Sequence, residues 1–435
     1  MTPEALSAAM RENGVTRLLA KRLAANNNPK NQIYLGRGYS AVQLIPFGRL
    51  QEDSSDRASS KLARLKAPVD FHWLGNNGGV ERAHFANLIL YPRYPEVRLS
   101  GLLRNVSDRE PARALTPREE GRWLFLGVTA DCRIIAYACG RDSSCARWAE
   151  EVSVSLDAGG VFRELPMAPG VRPDVMAALR RIAGLGWIGS KRLDRNGHVL
   201  PCDSNNCGGY TLEAELGIRP NGRSEPDYDG WEVKQFRVNN LQNPRGGPIT
   251  LMTPEPNGGL YFDEGPEAFV RCYGYPDKRG VADRLNFGGV HRAGLRHAAT
   301  KLELVLAGWD SDRITSLGGG IELRDTAGKV AARWSFASLL EHWKRKHAKA
   351  VYVPSNSALE PRRYRYGAKV LVGVGTDFSY LLRAVAKGTV YYDPGIKVVN
   401  ASSRPEVKRR SQFRIQMGGL DSLYQETRWV HLETQ

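Results

Sequence analysis

The segment 224–236, SEPDYDGWEVKQF, sets two carboxylates and a lysine around a turn, and few backbone paths accommodate it. Asp229-Gly230 suits a tight reversal between strands, because glycine readily supplies the positive φ such turns need. Beyond it, Trp231-Glu232-Val233-Lys234-Gln235-Phe236 reads as a strand, in which successive side chains alternate faces. Glu232 and Lys234 then share one face, and Trp231, Val233 and Phe236 can cover apolar ground. Asp227, just before the turn, can return its carboxylate to the same place. Two carboxylates suit Mg²⁺, a hard cation that keeps several waters and takes few protein oxygens. A lysine beside them can orient an attacking water or offset charge developing on a phosphate. The competing reading is a strand with a charged solvent face, so the rest of the chain has to decide.

The chain's 435 residues predict two or three domains, each large enough to bury a core. No apolar run is long enough to span a bilayer. The formal charge of +16 points to a polyanionic partner, and nucleic acid is the commonest. Six cysteines show no C-x2-C spacing, which argues against zinc. Cys202 and Cys207 have four residues between them, and free thiols in a reducing cytosol are the expectation. The N-terminal stretch MTPEALSAAMRENGVTRLLAKRL carries acids and lacks an apolar h-region, so it reads as an amphipathic helix rather than a signal peptide. A bacterial cytoplasmic location follows as the expectation.

Up to Leu165 the chain is rich in short β-like runs: 32–35, 42–45, 69–73, 87–91, 97–99, 123–128 and 133–138, punctuated by Gly, Pro and Asn. That spacing predicts a small barrel or sandwich, closed by a helix over 142–152. Residues 166–173, rich in proline, read as a linker. From Asp174 onward strands and helices mix through Gln435, which predicts an α/β domain. Its helices are expected over 174–185, 211–216 and 335–346, its further strands over 301–307 and 349–353, and a polar loop over 194–209. Glu213, on the helix ahead of the motif, is a candidate third carboxylate, although the helix dipole alone would favour an acid there.

Lys397 to Arg414 contains Lys397, Arg404, Lys408, Arg409, Arg410 and Arg414 against the single acid Glu406. Such a segment suits phosphate contacts together with base-edge contacts, as arginine pairs bidentately with guanine. The bland reading is a solvated basic loop. His291 and His297, close to Arg292 and Arg296, could read DNA or sit near the site. In the first part, Lys30, Arg37, Arg93, Arg98 and Arg104 are scattered along strands and loops. Gly373-Val374-Gly375 lacks a phosphate-loop lysine and is not a nucleotide site.

From about Asp174 onward, several blocks in order resemble the MvaI/BcnI restriction endonucleases, relatives of the mismatch-repair nickase MutH among the PD-(D/E)xK nucleases. The blocks are 209–213 (GYTLE), Pro226-Asp227 to Lys234, 248–259 (PITLMTPEPNGG), 333–339 (RWSFASL), 363–366 (RYRY) and 413–417 (FRIQM). The resemblance implies Asp227 and Glu232 as ligands of Mg²⁺, Lys234 as the water-orienting residue, Glu213 as the helix glutamate supporting the site, and Arg414 as an arginine presented to the recognition sequence. Arg410, Arg409, Lys408, His291, Arg98 and Arg104 complete the expected DNA contacts. The stretches 20–26 (AKRLAAN) and 32–35 (QIYL) resemble the opening of the EcoRII N-terminal effector domain, a DNA-binding pseudobarrel. Together these imply residues 1–165 as a mostly-β effector domain and 174–435 as a MutH-like α/β nuclease. They imply Mg²⁺-dependent cleavage of double-stranded DNA at a short CC-N-GG-type site with a restricted central base. The catalytic domain is expected to act as a monomer, with a second site copy on the effector domain and a companion methyltransferase. A strand-nicking repair enzyme and a non-catalytic DNA-binding regulator are the rival readings.

Overall fold

The computed structural model describes residues 1–25, 32–53, 64–154, 162–165, 167, 174–220, 226–228, 230–343 and 347–432. Lys30, Asp229 and, apart from Met167, the 166–173 segment lie outside the described residues. The chain divides into two compact units, Met1–Val175 and Met176–Gln435.

The first unit is mostly β. A helix, Pro3–Glu12, starts from a Thr2 cap whose Oγ1 accepts the Ala5 N–H at 3.2 Å, with proline at its first position. It is shorter than the sequence suggests. Gly14 takes φ 79°, and Val15–Leu23 leaves as a strand that buries Val15, Leu18, Leu19, Ala20 and Leu23. That strand lies in a six-stranded sheet in the order Arg163–Leu165, Val15–Leu23, Arg122–Thr129, Ile134–Cys139, Phe71–Leu74, Val80–Arg82. A second sheet orders Ile33–Arg37, Glu96–Ser100, Asn87–Tyr91, Leu65–Pro68 and Gln51–Glu52. Most of the expected strands are therefore present. The run 42–45 is the exception: Ser40–Gln43 is a 3₁₀ turn, and Ala41, Val42 and Gln43 are all buried in it. The Pro3–Glu12 helix and the helix Ser144–Val154 cover the first sheet through Leu6, Met10, Cys145 and Ala149. A Cβ at Gly127 would stand 2.5 Å from Val15 Cγ2 and 2.8 Å from Met10 Sδ, so only glycine lets the helix settle there.

The second unit is α/β. Its main sheet orders Ile188–Gly189, Arg362–Tyr366, Lys349–Leu359, Lys369–Val374 and Glu426–His431, and Glu232–Arg237 pairs in parallel with Lys349–Leu359. The helix expected over 211–216 begins earlier and spans Cys207–Glu215. The expected loop 194–209 is partly ordered: Val199–Pro201 pairs with Lys191–Leu193, because Asp194 Oδ1 accepts the N–H groups of Asn196 and His198, each at 2.8 Å, and closes the turn. Cys202 and Cys207 are joined in a disulfide at the start of that helix, correcting the expectation of free thiols for this pair. Their Cα atoms stand 5.8 Å apart, within the span a disulfide bridges. Among the described residues no helix is long and apolar enough to cross a membrane.

Candidate active site

Tyr228 and Trp231 exchange backbone hydrogen bonds at 3.0 and 2.8 Å, and Gly230 takes φ 79° between them. This is the reversal that the Asp-Gly dipeptide predicts. Past it, Asp227 Oδ2 accepts the Val233 N–H at 3.0 Å. The carboxylate before the turn is thereby held against the strand after it. On that strand Lys234 Nζ donates to Glu232 Oε1 at 2.9 Å. Glu232 is 3% exposed and Lys234 17%, so the pair is neither a solvated face nor fully sealed. Burial opposes the charge on Lys234, but the charge and hydrogen bond of Glu232, with smaller help from Tyr352 and Asp227, outweigh it and hold the ammonium above its ordinary pKa. Asp227, Glu232 and Lys234 thus act on one another electrostatically within a single hairpin.

The strand's surroundings fix this arrangement. In the parallel register Glu232 faces Ala350 and Lys234 faces Tyr352. Gln235, on the opposite face by alternation, donates through Nε2 to Ser355 Oγ at 2.7 Å. The helix Cys207–Glu215 covers that face. Its Gly208 carbonyl accepts the Tyr366 hydroxyl at 2.7 Å, and a Cβ at Gly208 would stand 2.9 Å from Gln235 Oε1. Glu213 is half-buried on this helix. Burial chiefly raises the Tyr366 phenol, and the charges of Tyr364, Glu215 and Glu213 add to it. Among the described residues no group of three or more His, Cys, Asp or Glu side chains forms a metal-binding cluster. Glu213 therefore does not join Asp227 and Glu232 in one. Two hard carboxylates flanked by an ammonium do fit a small divalent cation that keeps most of its own water.

Sequence reading missed Tyr352, Tyr424 and Gly373. The hydroxyls of Tyr352 and Tyr424 meet at 2.8 Å in the interior. Gly373, within the discounted glycine pair, gives way to the Tyr424 ring: a Cβ there would stand 2.7 Å from Cδ2 and Cε2. Only strand register reveals this grouping, and register is not written locally in sequence.

The expected DNA-contacting residues fall into three groups. Lys408, Arg409 and Arg410 are exposed, on and just after the edge strand Glu406–Lys408, which pairs with Gly395–Val399. Arg414, Arg98 and Arg104 are partly engaged by the protein. Arg414 bonds Asp393 Oδ2 at 2.7 Å and the Pro248 carbonyl at 2.9 Å. Arg98 pairs with Glu96 at 2.8 Å and reaches Gln32 at 3.1 Å, while the exposed Arg104 stacks 4.2 Å over Phe85. His291 is fully buried, which corrects its expected place at a DNA surface. Its Nδ1 faces the Gly289 carbonyl at 3.0 Å and its Nε2 the Thr300 hydroxyl at 2.9 Å. Its ring stacks between Phe287 and His297. Both ring nitrogens are consumed internally.

Residues 176–424 match the model of the MvaI/BcnI restriction endonuclease family. Similar solved structures include the restriction endonuclease MvaI in complex with its cognate DNA substrate, 18% identical, with 59% of this chain covering 96% of that one at a TM-score of 0.44. MvaI in the absence of DNA is 16% identical over the same shares, with a TM-score of 0.33. The B3 domain of the UbaLAI restriction endonuclease with cognate DNA is 14% identical, with 38% of this chain covering 97% of that one at a TM-score of 0.19. No curated protein matches the chain. The family match takes in the hairpin, the Glu213 helix and the basic segment alike.

Proposed function

The chain belongs to the MvaI/BcnI restriction endonuclease family and is a Type II site-specific deoxyribonuclease, and within that class we propose that Asp227, Glu232 and Lys234 form a PD-(D/E)xK centre of MutH-like type that hydrolyses double-stranded DNA with Mg²⁺. The observation that carries this reading is the Lys234–Glu232 contact at 2.9 Å on one face of a strand whose Val233 N–H holds Asp227. Restriction endonucleases of this kind work with a divalent metal, and Asp227 and Glu232 are the residues that would hold it. When bound, the ion offsets charge on the scissile phosphate and makes water more acidic. Lys234, kept charged by Glu232, orients the attacking water and faces the charge that develops on phosphorus. Glu232, nearly excluded from solvent, fixes the ammonium's direction. Glu213, on the helix that backs the motif strand, is proposed as the helix glutamate that supports the site. In-line attack leaves a 5′-phosphate and a 3′-hydroxyl.

Arg414, Arg410, Arg409 and Lys408 are proposed to meet the cognate duplex, and Arg98 and Arg104 to meet DNA from the first unit, which we read as an effector domain binding a second site copy. The block resemblances favour a CC-N-GG-type site with a restricted central base, a catalytic unit active as a monomer, and a companion methyltransferase that protects host DNA. Digestion of unmethylated phage DNA with Mg²⁺ and with EDTA, with fragment ends sequenced, tests the reading. Discrete Mg²⁺-dependent fragments sharing one motif are expected, together with none from Glu232→Ala although that variant still binds the site. Full cleavage by Glu232→Ala would remove the assignment. Lasting nicks would favour a strand-nicking enzyme.

A further inference from the structure

We propose that Tyr352 and Tyr424 are positioning residues for DNA cleavage, holding Lys234 in its contact with Glu232; this rests on the reading of that pair as the cleaving centre. Tyr352 stands opposite Lys234 on the neighbouring strand and is fully buried. Adjacent strands lie about 4.8 Å apart, and register partners project from the same face. Tyr352 thus lies beside Lys234 on the same face of the sheet. Its hydroxyl meets that of Tyr424 at 2.8 Å, and the rings cross edge to face at 75°.

Tyr424 is in turn fixed from three directions. Its ring lies on Gly373, and Gly373 pairs with Ala350, the register partner of Glu232. Behind it, Thr376 Oγ1 donates to the Leu423 carbonyl at 2.7 Å. Ahead of it, the Gln425 N–H reaches the carbonyls of Val374 and Gly375 at 3.2 and 2.9 Å. Tyr424 therefore lies over the row of residues that contains Glu232, while Tyr352 belongs to the row that contains Lys234. One hydrogen bond joins the two rows.

Packing alone does not require these hydroxyls. Replacing both partners of a buried hydrogen bond by apolar groups of the same shape is often nearly neutral. Two phenols bonded to each other beside a nearly buried ion pair are accounted for by what they orient. A phenol whose hydroxyl is held by a partner cannot swing its far end away, and the ammonium packed beside it keeps its direction. Displacement of a catalytic group by about 1 Å can cost about a hundredfold in rate.

The test uses the full chain and a duplex carrying the sequence identified by fragment-end sequencing. Single-turnover cleavage, Kd for the duplex and thermal melting are measured for wild type, Tyr352→Phe, Tyr424→Phe, the double variant and Glu232→Ala. Each single variant should cleave about 10- to 100-fold more slowly, with Kd within twofold of wild type. The double variant should be no slower than the slower single, because one contact is lost in all three. Rates within twofold of wild type overturn the proposal, as do losses in rate and affinity that run in parallel and add. If one variant fails to fold, the other decides by the same criteria. Cleavage by Glu232→Ala would instead overturn the reading of the centre itself.

Discussion

The Asp227 carboxylate accepts the Val233 N–H at 3.0 Å, so the acid before the turn is carried by the strand that bears Glu232 and Lys234. Fold and proposed chemistry use the same group here, and substitution can separate them. Asp227→Asn keeps an oxygen to accept the N–H but removes the charge. Its melting temperature should stay near wild type, while cleavage falls by about two orders of magnitude or more. Asp227→Ala should lose about 1 kcal/mol of stability as well, the usual net worth of one hydrogen bond. Thermal melts read beside single-turnover cleavage check both, and an active Asp227→Asn would dissociate this residue from the chemistry.

Lys234 and Glu232 form a nearly buried ion pair, and removing one partner leaves the other charge uncompensated. Lys234→Met should destabilise the protein by about 3 kcal/mol and abolish cleavage. Adding Glu232→Gln to it should restore much of the stability without restoring activity. Denaturant unfolding of the two singles and the double gives the coupling directly. Simple addition of the two losses would contradict a pair worth this much.

His291 supplies a pH dependence that has nothing to do with the chemistry. Burial, with a smaller contribution from His297, pushes its pKa down to about 3, although the Gly289 carbonyl works the other way. The unfolded chain takes up a proton near 6.5 that the folded chain refuses. The stability His291 contributes is thus complete above pH 6.5, and it is lost as pH falls from there toward 3, by about 1.4 kcal/mol per unit at most. Unfolding free energies measured from pH 7 to 4 should show this slope in wild type and a shallower one in His291→Phe. Equal slopes would place the refused proton elsewhere.

Legibility in the sequence followed the range of the interactions. The Asp-Gly reversal, the shared face of Glu232 and Lys234, and the helices over 144–154, 175–184 and 336–343 depend on neighbours in the chain, and local pattern reveals them. The N-terminal helix was over-extended because VTRLLAKRL has apolar spacing that suits either period, and Gly14 decides for a strand. What escaped needs two distant segments at once. Tyr352 and Tyr424 are 72 residues apart. Gly373 matters only because a ring arrives from residue 424. His291 looked like a surface reader because Arg292 and Arg296 follow it, while the strand that buries it arrives with Tyr392, whose backbone exchanges hydrogen bonds with it at 2.8 and 3.0 Å. Arg414 was legible as a basic residue, but the Asp393 that restrains it was not.

The basic hairpin is where stability and the proposed DNA binding should move in opposite directions. Lys397 and Lys408 are direct register partners on Gly395–Val399 and Glu406–Lys408, and like charges set opposite one another destabilise a strand pair. A phosphate placed across them would relieve that repulsion. Lys408→Ala should therefore stabilise the free protein by about 0.2–1 kcal/mol while weakening duplex binding. It should also lower the slope of log Kd against log salt by about 0.9, one phosphate contact's share. Arg414→Ala should differ in sign on the first count, since it leaves Asp393 without the guanidinium 2.7 Å away, and it should relax sequence preference rather than weaken all duplexes alike. Melting curves with salt-titrated binding to cognate and scrambled duplexes separate the two residues. A Lys408→Ala variant with an unchanged salt slope would remove this hairpin from the DNA-binding surface.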